Sequence, residues 1–187
     1  MFKKKQNIAN EDELTKASED LKQGGAEAFH ILYKNYQQKV YRFCLRMLGD
    51  PDTARDAFQE TFIKVFEHRK EFRGSNFAAW LFTIARHTCL NAIRAKKEHE
   101  VFDEVYHSNT GHNESDIGMR EFIQMSISKL PVPLREALLL REYEECSYQE
   151  IAVVLGIDIS LAKVRVHRAR LLLQKLLQPL VKEINEK

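Results

Sequence analysis

Between Ala26 and Leu48 the chain runs without a glycine or a proline, and Phe29, Leu32, Tyr33, Tyr36, Val40, Phe43, Cys44 and Met47 recur along it at helical spacing. A segment of that kind buries its apolar stripe as a helix laid against other helices. Gly49-Asp50-Pro51 ends it. A second helix is expected from about Asp52 to Lys70, turning Ala54, Ala57, Phe58, Thr61, Phe62, Val65 and Phe66 inward. The run Phe72-Arg73-Gly74-Ser75 then breaks the pattern before a third helix from about Phe77 to Lys97. Only seven glycines and four prolines punctuate the whole chain. The expected fold is therefore all-α.

After Lys97 the text EHEVFDEVYHSNTGHNES loses its period and gains Ser, Asn, Gly, His and acids, as a flexible surface linker does. It divides the chain into an N-terminal extension (1–25), a helix bundle (26–97), a linker (98–115) and a second helical domain (116–180). In the second domain helices are expected from about Asp116 to Lys129 and from about Leu134 to Glu144, on either side of Leu130-Pro131-Val132-Pro133. No apolar run approaches the roughly 20 residues of a membrane span. The start MFKKKQNIANEDELTK lacks the apolar stretch of a signal peptide, so a cytoplasmic location is expected. Cys44, Cys89 and Cys146 are far apart and form no C-x-x-C pair, which points to core packing rather than to disulfides or zinc.

Ser147-Tyr148-Gln149-Glu150 has the form of a capping box and starts a helix through Ile151, Ala152 and Leu155. Gly156 stops that helix, and another begins at about Ser160, which is helix-turn-helix spacing. The second of the pair, AKVRVHRARLLLQKLL, holds Lys163, Arg165, Arg168, Arg170 and Lys175 without one acid, in a chain whose formal net charge is only +2. Ala162, Val166, Ala169, Leu173 and Leu176 line its packing face, leaving Ser160, Lys163, Val164, His167 and Arg168 to point away. A helix fits the major groove, where Lys and Arg donate to guanine edges, while Arg165 and Arg170 are placed to meet phosphates on either flank. A solvated basic helix over a leucine core is the competing reading.

A second acid-free stretch, FRGSNFAAWLFTIARHTCLNAIRAKK, contains Arg73, Arg86, Arg94, Lys96 and Lys97. Thr83, His87, Asn91 and Arg94 form one polar stripe, opposite Leu81, Ala85, Cys89 and Ala92. Phe72, Phe77 and Trp80 beside it could stack on unpaired bases, with the Ser75-Asn76 loop receiving a flipped base; equally, aromatics at this spacing could be core. On the preceding helix Asp56, Gln59, Glu60 and Ile63 lie off the core side, and an apolar Ile63 among polar neighbours suggests a protein-docking surface as well as a solvated one.

Two runs together, ARDAFQETFIKVFEHRKEFRGSNFAAWLFTIARHTCLNAIRAKK and LPVPLREALLLREYEECSYQEIAVVLGIDISLAKVRVHRARLLLQKL, resemble bacterial sigma factors of the extracytoplasmic-function group. The resemblance implies a subunit that binds core RNA polymerase and directs it to promoter DNA. The first domain would recognise and melt the −10 element and the second would read the −35 element. By this likeness Asp56, Gln59, Glu60 and Ile63 would dock on the polymerase clamp helices. Arg73, Asn76, Phe77 and Trp80 would hold the opened strand, His87, Asn91 and Arg94 would lie along nearby promoter DNA, and Lys163, Val164, His167 and Arg168 would read the −35 bases. An anti-sigma factor becomes an expected partner. Family members often carry Pro-Val-Gly-Thr where this chain has Asp158-Ile159-Ser160-Leu161, and a small hydroxyl residue where Val164 stands, so base preference does not transfer.

No nucleophile, base and orienting group converge in the sequence, and His99, His107 and His112 lack metal-ligand spacing. An enzyme is not expected, nor a metal or cofactor. The competing classes are a stand-alone helix-turn-helix regulator with an N-terminal dimerisation or sensor bundle, and a purely structural interaction bundle.

Overall fold

The computed structural model describes residues 10–73, 76–103 and 118–185. Among them, helices α1 (Glu11–Leu21), α2 (Ala26–Leu48), α3 (Pro51–Glu67) and α4 (Phe77–Asp103) build the first unit, with a 3-10 turn at Arg69–Glu71 between the last two. Helices α5 (Met119–Ser128), α6 (Val132–Glu142), α7 (Tyr148–Leu155) and α8 (Ile159–Asn185) build the second. No strand occurs among the described residues, as the helical period requires.

Local chemistry fixes the helix ends. Asn10 accepts from the Glu13 amide at 2.8 Å, and Glu11, Asp12 and Glu13 complement the positive end of α1. The residues expected as an N-terminal extension are thus partly a core element: α1 buries Ala17, Ser18 and Leu21 against α2. Gly49, at φ 77°, takes the left-handed conformation that closes α2. Asp50 then caps α3 through the amide and hydroxyl of Thr53, bonds that hold its carboxyl below the usual range. Pro133 sits in the first turn of α6, where its missing N–H leaves no bond unmade, so that helix starts two residues before the expected Leu134.

In the first unit aromatic rings carry much of the packing. Phe43 and Phe82 meet edge to face at 5.5 Å, and Tyr33 meets Phe62 at 4.8 Å. Cys44 and Cys89 are buried and unbridged, and their thiols bond one another between α2 and α4, which pushes the Cys89 thiol far up. In the second unit Leu130, Leu138 and Ala169 pack with Leu172, Leu173 and Leu176, so the leucines of α8 lie on α6.

The capping box is formed: Ser147 Oγ accepts from the Glu150 amide at 3.2 Å and Glu150 Oε2 accepts from the Ser147 amide at 2.7 Å. Gly156, at φ 65°, closes α7. Asp158 then caps α8, accepting from the Leu161 amide at 2.8 Å. The acid in the family's Pro-Val-Gly-Thr position is thereby engaged in starting the basic helix. Ser147→Ala should lower thermal stability by about 0.5–2 kcal/mol, read from the unfolding midpoint, without changing helix content at room temperature.

One boundary differs from expectation. Helix α4 continues past Lys97 to Asp103, so the first residues of the expected linker are helical; the rest of that segment lies outside the described residues. The two units also pack on each other. A single buried cluster runs from Ala17 and Phe43 through Cys89 to Leu140, Ile151 and Val166.

Candidate nucleic-acid interface

The basic helix α8 presents Ser160, Lys163, Val164, His167 and Arg168 to solvent, while Ala162, Val166 and Ala169 are fully buried. The side chains expected to read bases therefore share one open face. Val164 is 41% exposed. The Lys163 ammonium lies 5.8 Å from the Tyr148 ring of α7, which orients it at the edge of that face. Tyr148 went unnoticed in the sequence, although its place just after the capping Ser147 aims it toward α8.

The two arginines expected on phosphates are both held by carboxylates. Arg170 bonds Glu142 of α6 at 2.9 Å and 2.5 Å through an exposed pair. Such a pair is weak in water, and a DNA phosphate can replace it. Arg165 reaches Glu136 at 3.4 Å, and Glu136 is 2% exposed.

Along α4, His87, Asn91 and Arg94 are exposed on one side, as the stripe requires. Desolvation, with the neighbouring Arg86 charge, holds the His87 imidazole below its ordinary range. Arg73 is exposed, and Asn76 caps α4, its side-chain oxygen accepting from the Ala79 amide at 2.9 Å. Phe77 departs from expectation. It is 5% exposed, packed on Tyr36, Phe72 and Trp80 at 5.6–5.7 Å, because the first turn of α4 faces the core between α2 and α3. In this arrangement it supports the half-buried Trp80 rather than offering a stacking face.

On α3, Asp56, Gln59, Glu60 and Ile63 are all exposed and contiguous, and Ile63 is 53% exposed. Phe66 extends the apolar part of this face by one turn, with the Arg69 guanidinium 4.3 Å from its ring. Phe66, expected in the core, is 41% exposed because the core stripe drifts to the surface at the helix end.

Polar contacts join the two units. Arg86 of α4 makes a two-point bond to Glu136 of α6, at 2.7 Å and 3.3 Å. Asn76 donates to Glu150 of α7 at 2.6 Å. Arg135 donates to the Met47 carbonyl at 2.5 Å, Gln124 to the Leu45 carbonyl at 3.2 Å, and Arg46 lies over the Tyr143 ring at 3.9 Å. Beside these, Glu144 is half-buried with Oε2 unpaired. Burial pushes its carboxyl up to about 7, against the opposing pull of Lys39, Arg42 and Arg46. The folded state thus holds that proton more tightly than the unfolded chain does. The associated stability is present at acid pH and is lost as pH rises through about 7. Glu144→Gln should flatten the fall in unfolding midpoint between roughly pH 4.5 and 7; a slope identical to the parent's would assign the pH dependence to other groups.

With this geometry in hand, comparison with known proteins is specific. Residues 32–99 match the family description Sigma-70 region 2, and residues 121–173 match Sigma-70, region 4. The RNA polymerase sigma-H factor of Pseudomonas aeruginosa is 32% identical over 181 residues, covering 88% of this chain and 94% of that protein. The RNA polymerase sigma factor YlaC of Bacillus subtilis is 34% identical over 160 residues, covering 80% and 91%. Among solved structures, the sigma factor RpoE of Bartonella quintana, in complex with the anti-sigma factor NepR, superposes with a TM-score of 0.70 at 27% identity, covering 82% of this chain and 98% of that one. CnrH, in complex with the cytosolic domain of CnrY, superposes equally well at 21% identity and shows the same fold.

Proposed function

The chain belongs to the sigma-70 family, in its extracytoplasmic-function group, and from that premise we propose a division of labour among its exposed faces. It is a sigma factor that binds core RNA polymerase and directs promoter-specific initiation. The open side of α3, with Asp56, Gln59, Glu60 and Ile63, docks on the polymerase. The start and exposed stripe of α4, with Arg73, Asn76, Trp80, His87, Asn91 and Arg94, hold the −10 element as it opens. Ser160, Lys163, Val164, His167 and Arg168 of α8 read the −35 element, with Arg165 and Arg170 on its phosphates.

The observation that supports this reading best is the order and completeness of the two matched regions, together with a helix-turn-helix whose outward residues are the basic ones. Strand opening on this account needs no covalent chemistry by the chain. Captured bases stabilise the single strand and polymerase contacts offset the lost pairing. The protein acts in the cytoplasm, where no membrane insertion is needed; no described helix is long and apolar enough to cross a membrane. An anti-sigma factor is its regulatory partner, as NepR is for the Bartonella protein. A cleft of about 920 Å³ between α2 and α5, floored by Leu45, Ile123 and Ile127 and edged by Arg42, Arg46 and Arg120, offers apolar and basic groups to such a partner.

Run-off transcription with purified core enzyme on fragmented genomic DNA tests the reading. Discrete transcripts that depend on the chain are expected. Tight binding to duplex DNA with no association with core enzyme and no transcript would replace the sigma role with that of a stand-alone regulator.

A further inference from the structure

Two apolar side chains stand in solvent on the first turns of the basic helix α8: Leu161 is 38% exposed and Val164 41%. They are three positions apart, so their Cβ atoms are neighbours on one side of the helix, about 5–6 Å from each other. Four positions beyond Val164 the same row continues into Arg168, also exposed. Ile159 is similarly exposed but lies outside the row, roughly 200° round the helix from Leu161. Single apolar residues scattered over a surface are ordinary. A pair one turn apart is not, on a face that otherwise carries Ser160, Lys163, His167 and Arg168.

The turn that bears Leu161 is held by the chain itself. Asp158 Oδ1 accepts from the Leu161 amide at 2.8 Å, so that amide is already engaged and Leu161 has its side chain to offer. Ala162 and Val166, both fully buried, tie the opposite side of α8 to the domain. The two apolar groups are therefore presented at a set spacing before any DNA is bound.

The major groove displays one apolar substituent, the C5-methyl of thymine; its other recognition groups are hydrogen-bond donors and acceptors. Set against those, Leu161 or Val164 would strip water from a polar edge and return no hydrogen bond, which costs free energy. Against a methyl, each side chain buries apolar surface instead. Base pairs follow one another at about 3.4 Å. Side chains about 5–6 Å apart thus reach pairs that are adjacent or separated by one.

We propose that Leu161 and Val164 together read thymine methyl groups, and that the −35 element used by this chain holds two A·T pairs, adjacent or one apart, whose methyls face α8. The proposal deepens the sigma-factor reading and rests on it: it adds Leu161 to the residues that set base preference and names the chemical group recognised. Lys163 and Arg168 supply hydrogen bonds and charge beside the pair, and the pair discriminates against G·C.

The test uses a promoter fragment recovered by run-off transcription and bound by core polymerase carrying the full chain. Each thymine of its −35 element is replaced in turn by deoxyuridine, which removes the methyl and leaves every hydrogen-bonding edge intact. At two positions the exchange is expected to weaken binding about three- to fourfold, the effect of one buried methyl. Leu161→Ala should lose the penalty at one of these positions and Val164→Ala at the other. Helical circular dichroism should stay unchanged, because both side chains are exposed and alanine is a strong helix former. Equal affinity of the thymine and deoxyuridine fragments would overturn the proposal, and so would penalties that persist undiminished in either alanine variant, which is what a merely structural role for that residue produces. Failure of the sigma reading is separate: it appears as absent run-off transcription by the parent chain with saturating core enzyme.

Discussion

Ile63→Glu should weaken association of the chain with core RNA polymerase by about 2 kcal/mol or more, some thirtyfold. Ile63 is 53% exposed at the centre of the α3 face, flanked by Gln59 and Glu60 and continued by the exposed Phe66. An apolar side chain so placed contributes little to the fold, yet buried in an interface it is the kind of anchor that carries binding energy. A carboxylate there meets the cost of burying an unpaired charge. Thermal stability should change by less than about 0.5 kcal/mol, since the site is on the surface. DNA affinity of the free chain should not change. The pair of measurements, core association by equilibrium titration and unfolding midpoint, separates docking from folding. Unaltered core association would remove α3 from the docking surface. Gln59→Ala should act in the same direction with a smaller loss, because a half-hydrated amide at the edge of an interface is replaced by water on dissociation.

The helical period made the elements legible in the sequence. The stripe from Phe29 to Met47 gives α2 with both ends correct, and Ser147, Gly156 and the acid-free run after them give the helix-turn-helix. These signals are local: a cap, a left-handed glycine and a repeat of three and four need no knowledge of the rest of the chain. What stayed hidden is what depends on how separate helices pack. Phe77 and Trp80 have the same spacing whether they face a core or a strand of DNA, and only the packing of α4 on α2 and α3 decides for Phe77. Glu136 sits in the run LREALLL, where an acid reads as a solvent-facing position; its burial follows from Arg86, fifty positions earlier, meeting it across the interface. Asp158, an acid at the head of the basic helix, is accounted for by its oxygen capping α8. The acids missing from both basic stretches are thus partly in contact with them: Glu136 meets Arg86 and Arg165, and Glu142 meets Arg170.

Arg168→Ala should cost about 1–3 kcal/mol, roughly 5- to 150-fold, at one base pair of the −35 element and little at the others. Arg168 is exposed on the outward face of α8, one position after His167 and one turn beyond Val164, with no carboxylate bonded to it among the described contacts. Its guanidinium is therefore free to make the two-point bond to guanine that carries base discrimination. Arg170 differs. It is already paired with the exposed Glu142, so its exchange onto a phosphate swaps one ionic partner for another. Arg170→Ala should weaken all sequences alike and reduce the salt slope of binding by about 1. The measurement is affinity of the polymerase-bound chain for a set of fragments substituted singly across the −35 element, at two salt concentrations. A flat loss across the set for Arg168→Ala would make it a phosphate contact and shift base reading to Lys163, His167 and Val164. Val164→Thr, on the same set, should alter preference at a neighbouring pair, because it replaces a methyl that packs on thymine by a hydroxyl that donates and accepts.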